Sequence, residues 1–169
     1  MLILQEINII KYNINMLDIE DFKNKLDKKS RLMGIDPGRK RVGIAICDEN
    51  KIVATPYTTI IKNKYSDFIK EIKKIVDENQ IRGIVIGNPI NMDGSPSQSS
   101  QSAKDLAINL SKDVTENITL WDERLSSQGA FNLSNDLGSN ISNKVKKLDE
   151  NSAQFILQGA LDYITKKNT

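Results

Sequence analysis

The chain has 169 residues, of which 38% are hydrophobic and 27% charged, with a formal net charge of +2. That length suits one sizeable domain rather than two, and the balance is that of a globular protein without the composition of disorder. The absence of histidine excludes Ser-His-Asp and Cys-His triads and imidazole-held zinc, and the single Cys47 excludes an internal disulfide or a cysteine metal cage.

Residues 1–31 read as an N-terminal extension, partly helical or disordered, ahead of a domain spanning 32–169. Apolar residues at Ile19, Phe22 and Leu26 have the spacing of a short amphipathic helix, and Met16 is a second candidate start. The stretch from Met1 to Ile10 is interrupted by Gln5, Glu6 and Asn8, and lacks the pattern of a secretory leader. No apolar run reaches the roughly 20 residues needed to span a bilayer, so a cytoplasmic protein without membrane contact is expected.

From Arg31 to Asp36 and from Val42 to Cys47 two short apolar runs flank Pro-Gly-Arg-Lys-Arg, the pattern of a hairpin. A third strand is expected from Ile52 to Ile61, after the turn at Asp48, Glu49 and Asn50. Phe68, Ile69, Ile72, Ile75 and Val76 then mark a helix from about Tyr65 to Asn79. The continuously apolar run from Gly83 to Gly87 suits a strand covered on both faces. Ala103, Leu106, Ala107 and Leu110 mark a second helix, roughly Ser97 to Lys112. Ile118 to Trp121 is a further strand and Ser126 to Ser134 a short helix. The stretch from Asp136 to Lys147 is polar and reads as a loop, and the last helix is expected from about Asp149 to Lys166. Three antiparallel strands followed by strand–helix units imply a mixed sheet with helices on both faces, an α/β fold. The site of such a sheet lies beyond the carboxyl ends of its central strands.

Three acidic positions fall at those ends. Asp36 closes an apolar strand just before the Pro37-Gly38 turn, where it serves either a site or an Asx-type turn. Asp122 and Glu123 close another strand, and alternation lets one of them face a site. Their alternative is a helix cap or a surface ion pair with Arg124. Asp149 stands four residues before Ala153, on the side of the apolar stripe of the last helix, where an N-cap is the other role open to it. Carboxylates brought together repel one another and bind cations, and ligation by oxygen alone favours Mg²⁺ or Mn²⁺ over zinc. Two such ions can drive phosphodiester hydrolysis. Arg39, Lys40 and Arg41 follow the first acid, Arg124 flanks the second group, and Lys144, Lys146 and Lys147 precede the last. These are candidate nucleic-acid contacts beside each candidate ligand. With 5% aromatic residues, extensive base stacking is not expected.

Four blocks between residue 32 and about 163 resemble the YqgF (RuvX) family of pre-16S rRNA nucleases, whose fold is like that of Holliday junction resolvases. They begin at Gly34-Ile-Asp-Pro-Gly-Arg-Lys-Arg-Val-Gly, Gly87-Asn-Pro-Ile-Asn-Met-Asp-Gly-Ser, Asp122-Glu-Arg-Leu-Ser and Lys147-Leu-Asp-Glu-Asn-Ser-Ala. Pro37, Arg39 and Asn88 depart from the family pattern. The resemblance implies an RNase H-like five-stranded sheet of order 3-2-1-4-5. It also implies a nuclease site of Asp36, Glu123 and Asp149, with Asp122 as a further metal ligand and Asp93 and Arg124 as secondary candidates. The implied role is trimming the 5′ end of the small-subunit rRNA precursor, with branched DNA as another substrate, by a monomer or homodimer. Two other classes share parts of this pattern. One is a non-catalytic RNA-binding assembly factor on the same fold. The other is a sugar-kinase or actin-like ATPase, whose first phosphate loop reads Asp-x-Gly-x-x-x-x-Gly as Asp36 to Gly43 does, although that fold needs two lobes and a longer chain.

Overall fold

The computed structural model describes residues 15–126 and 141–166, the stretch 141–150 by its backbone alone. Strand β1 (Met16–Leu17) and helix α1 (Ile19–Lys25) precede a hairpin of β2 (Arg31–Asp36) and β3 (Arg41–Cys47), and β4 (Ala54–Ile61) pairs with β3. Helix α2 (Tyr65–Glu78), β5 (Ile81–Asn88), α3 (Gln98–Asp113) and β6 (Asn117–Asp122) follow. A 3₁₀ turn (Glu123–Leu125) and helix α4 (Ile141–Thr165) complete the described chain.

The sheet runs β1-β6-β5-β2-β3-β4. Without β1 this is the expected order 3-2-1-4-5 read from the opposite edge. The expected five strands are six, because Met16 and Leu17 pair in parallel with Ile118 and Thr119 of β6. A two-residue strand carries too little pattern to be read in sequence. Strand β4 begins at Ala54 rather than Ile52, since the Asp48 carboxylate accepts from the backbone N–H groups of Asn50, Ile52 and Val53 and holds that stretch as a turn.

Alternation along the strands builds two cores. Met33, Ile35, Ile84, Ile86 and Ile118 face α2 and α3, packing on Phe68, Ile72, Ala103 and Leu110. Leu32, Val85 and Trp121 face α4, packing on Ala153, Leu157, Ala160 and Leu161. Helix α4 lies close because two strand positions carry no side chain. A Cβ on Gly34 would come 2.6 Å from the Leu157 Cβ, and one on Gly87 would come 2.5 Å from the Ile156 Cδ1.

Helix α4 corrects a second expectation. It begins at Ile141, so Lys144, Lys146, Lys147 and Asp149 lie within a helix, not in or after a loop, and Asp149 is not its N-cap. The polar composition concealed an apolar series, Ile141, Val145 and Leu148, that continues at helical spacing into Ser152 and Ile156. The expected helix from Ser126 to Ser134 lies, beyond its first residue, outside the described residues. Among the described residues, no helix is long and apolar enough to cross a membrane.

Candidate active site

The period of two decides which acids meet. Asp36 stands two residues beyond Gly34, on the α4 side of the sheet, at the end of β2. Glu123 stands two residues beyond Trp121, which also packs on the α4 side, and the 3₁₀ turn keeps it there. A cavity of about 260 Å³ opens between them, lined by Asp36, Glu123, Ser126 and, from α4, Ser152, Phe155 and Ile156. Gly87 makes room for the second acid, since a Cβ there would lie 2.7 Å from the Glu123 Oε1.

Asp122, of opposite parity, serves the chain instead. Its carboxylate accepts from the Arg124 backbone N–H at 3.0 Å, capping the 3₁₀ turn, and from the Arg124 Nε at 3.0 Å and Nη2 at 2.7 Å. Those bonds to the guanidinium lead in holding the Asp122 carboxyl below its ordinary range. Of the two adjacent acids, Glu123 is thus the one that faces the cavity.

Glu123 is the electrostatic centre of the site. Burial, followed by the negative charges of Asp36 and Asp122, pushes its carboxyl up to about 7. Among the described residues, no hydrogen-bond donor lowers the Glu123 carboxyl again. A cation would, and an oxygen-only donor set suits a hard divalent ion, so the residues present fit Mg²⁺ or Mn²⁺. Among the side chains described, Asp36 and Glu123 form a pair and no group of three acids closes around a common point. Asp149 lies one helical turn before Ser152, a residue of the cavity wall.

Around this centre, Arg39 and Lys40 are exposed in the β2–β3 turn directly after Asp36, and Arg41 is half-buried at the start of β3. The loop that leaves β5 forms the other rim. Asn88 pairs with Asp122 across β5 and β6, and a Cβ on Gly94 would lie 3.5 Å from the Arg124 Nη1. Asp93 accepts from the Ser95 hydroxyl and N–H. It sits in a tight turn where Gly94 has φ +86°, a conformation that suits glycine. Sequence reasoning missed the cavity's Ser126, Ser152 and Phe155. Ser152 was legible as the residue three after Asp149 and four before Ile156, on one helical face.

A mixed sheet of this order with helices on both faces is an α/β fold of the RNase H-like class. Its shape resembles that of a Thermus thermophilus RuvC solved in complex with a Holliday junction substrate, at a TM-score of 0.50 and 9% identity over 79% of this chain and 94% of that one.

The family follows from sequence. The model of the RuvX family, described as Holliday junction resolvase, matches residues 30–163, and the chain belongs to that family. A Pelagibacter ubique protein named "Putative pre-16S rRNA nuclease" is 52% identical over 149 residues, 88% of this chain and 99% of that protein. A Rhodobacter capsulatus protein of the same name is 40% identical over 144 residues, 85% of this chain and 91% of that protein.

Proposed function

We propose that the chain is a Mg²⁺- or Mn²⁺-dependent nuclease that trims the 5′ end of the small-subunit (pre-16S) rRNA precursor in the cytoplasm during ribosome biogenesis. The observation that carries this reading is the Asp36–Glu123 pair on one face of the sheet, with Glu123 held near neutrality by burial and by its acidic neighbours. Asp36 and Glu123 would hold the metal, joined by Asp149 from α4. Asp122, tied to Arg124 by the bonds described, would enter the ligand set only by exchanging that partner. A divalent ion in this position supplies Lewis acidity toward the phosphodiester and a lowered pKa for the attacking water.

The protein's own residues do the rest. Arg39, Lys40 and Arg41 neutralise backbone phosphates as the strand enters beside Asp36. The Ser126 hydroxyl accepts from the Trp121 Nε1 at 3.0 Å, which leaves its proton free to donate to a phosphate or ribose oxygen in the cavity. Lys144, Lys146 and Lys147, in the first turns of α4, are further candidates for phosphate contact.

The test is cleavage of a 5′-extended small-subunit RNA precursor, with and without Mn²⁺, by the wild type and by Asp36→Asn. Metal-dependent cutting that disappears in the variant is the expected result. RNA bound but uncut by the wild type, with metal present, would instead identify an assembly factor on a nuclease fold. The family description as a Holliday junction resolvase gives branched DNA a specific claim. A four-way junction therefore belongs in the same assay, and cutting of the junction in preference to RNA would replace the rRNA reading. Sedimentation with and without the substrate would decide between monomer and homodimer.

A further inference from the structure

The end of the sheet away from the acids holds a second cavity, of about 200 Å³. Its walls are Lys29 and Ser30 of the α1–β2 loop, Arg31 at the start of β2, Glu49 of the β3–β4 turn, and Gln80 and Arg82 around the start of β5. Arg31 opens the strand that Asp36 closes, so about 17 Å of extended chain separates this cavity from the acid pair. Lys29, Arg31 and Arg82 bring three positive charges to one small space. Among the described residues, none of the three forms a side-chain hydrogen bond or an ion pair. Glu49 lines the same space and pairs with none of them. The Arg124 guanidinium shows the contrast, its charge met by Asp122 at 2.7 Å. Like charges crowded together repel one another, and an anion placed among them removes that repulsion.

The backbone is shaped to make this cluster. Arg31 pairs with Ile81 and Leu32 with Gly83, so Arg82 is an extra residue, bulged out of the parallel ladder between β2 and β5. A bulge re-aims the side chain it carries, and bulges are frequent beside functional sites. Here Arg82 is brought to the cavity that Arg31 also lines. Gln80, just before β5, has φ +53°, a left-handed conformation that a residue other than glycine adopts at a cost. The facing loop is fixed as firmly. The buried Lys51 ammonium donates to the carbonyls of Asp27 at 3.0 Å and Lys28 at 2.8 Å, and the Ser30 hydroxyl donates to the Asp27 carbonyl at 2.9 Å. The Ser30 N–H donates to the Glu49 carbonyl at 3.0 Å. Lys51 is itself left-handed, at φ +59°, so both described residues that adopt this conformation without being glycine serve this end of the sheet.

The wall selects the chemistry of its ligand. Three cations against one carboxylate leave an excess of positive charge that a single ligand carboxylate would not neutralise. Guanidinium forks match phosphate oxygens two at a time, and the Gln80 amide adds a neutral donor. A cavity receives a group that projects into it, as a terminal phosphate does and a continuous backbone does not.

We propose that this cavity is a binding site for a terminal phosphate group, a phosphomonoester or diphosphate, held by Lys29, Arg31 and Arg82 apart from the nuclease site. Free pyrophosphate, a mononucleotide and the 5′ end of an RNA all carry such a group. The site stands on its own residues and does not depend on the nuclease reading.

Calorimetric titration of the full-length, metal-free protein with inorganic pyrophosphate tests it. One saturable site per chain is expected, weakened by added salt. Arg31→Gln and Arg82→Gln should each weaken binding about tenfold, as the loss of a charge-assisted hydrogen-bond partner does. Arg82→Lys should recover part of that loss. Glu49→Gln should bind more tightly, because it removes the negative group of the wall, and a gain of affinity cannot come from misfolding. Lys104→Gln, exposed on α3, should change nothing. Thermal melting without ligand checks that each variant is folded. Two further arms identify the source of the phosphate. AMP is compared with adenosine, and a 5′-phosphorylated RNA with its 5′-hydroxyl form, the RNAs being bound to Asp36→Asn protein. A preference for the phosphorylated member that disappears with Arg31→Gln assigns that source, and a preference in neither leaves free pyrophosphate as the ligand.

Absence of saturable pyrophosphate binding would overturn the site. An equal loss in Lys104→Gln and Arg82→Gln would also overturn it, as the mark of diffuse surface charge. Neither result bears on Asp36 and Glu123, whose test is cleavage.

Discussion

Asp36 and Glu123 are forced together by the fold, and the strain of that meeting is measurable without any substrate. In metal-free protein the Glu123 carboxyl holds its proton up to about 7, against an ordinary value of 4.5, because of burial and its acidic neighbours. The folded state therefore binds a proton that the unfolded state has released. Its stabilising effect is complete below pH 4.5 and is lost as pH rises from 4.5 through 7. Glu123→Gln should abolish that pH dependence. At pH 8 without metal it should stabilise the protein by about 1–2 kcal/mol, a shift reduced for the partial exposure of the site. Mn²⁺ should raise the melting temperature of the wild type and hardly that of the variant. A variant no more stable than the wild type at pH 8 would remove the electrostatic account. Arg124→Ala, by contrast, frees Asp122 beside the pair. Melting should move little, since the ion pair is open to solvent on part of its surface and screened there, while the metal concentration needed for half-maximal cutting should shift.

At the scale of elements, the distance between α4 and the sheet sets the cavity. Gly34 admits the helix backbone itself, since a Cβ there would also lie 3.0 Å from the Ala153 carbonyl oxygen. Gly34→Ala should therefore cost about 1–3 kcal/mol, read as a lower denaturation midpoint, with a matching loss of activity. Gly87→Ala meets two side-chain tips instead of backbone, the Ile156 Cδ1 and the Glu123 Oε1. It should disturb stability less and cleavage more than Gly34→Ala, and the reverse ranking would show that Gly87 serves packing alone. Helix α4 is fixed at its other side by amides. Gln154 donates to the Ala54 carbonyl, and Gln158 both accepts from the Ala54 N–H and donates to the Ile52 carbonyl. These bonds hold α4 to the β3–β4 turn, and hence its register over the site.

At the scale of the whole molecule, the segment ahead of β2 closes the α4 core. Phe22 of α1 is fully buried, and a Cβ on Gly83 would lie 2.7 Å from its ring, so helix and strand touch where β5 lacks a side chain. The Asn15 Nδ2 donates to the carbonyls of Val114 and Glu116, and β1 extends the sheet beside β6. Phe22→Ala should cost about 3–4 kcal/mol, as large truncations in a packed core do, and should lower the melting temperature by several degrees. It should leave the pH dependence due to Glu123 unchanged, because Phe22 packs at Gly83, away from the acids at the strand ends. An unaltered melting curve would show α1 to be an appendage.

The order of the strands came with the family resemblance, while the pattern of the sequence by itself determined the α/β class, the five main strands, both sheet-covering helices before β6, and the candidate acids at Asp36, Asp122 and Glu123. These are local properties, carried by apolar period and by where polar residues interrupt it. It left Asp122 and Glu123 undivided, since a strand's alternation becomes a choice of face only once Trp121 is seen to pack on α4. It read the start of α4 as a loop because charge hid a helical spacing whose partner surface is remote in sequence. Strand β1 and the wall of Ser126, Ser152 and Phe155 were decided by tertiary structure alone. Each depends on which surfaces meet, and two residues of strand or three dispersed wall residues carry no periodic signal of their own.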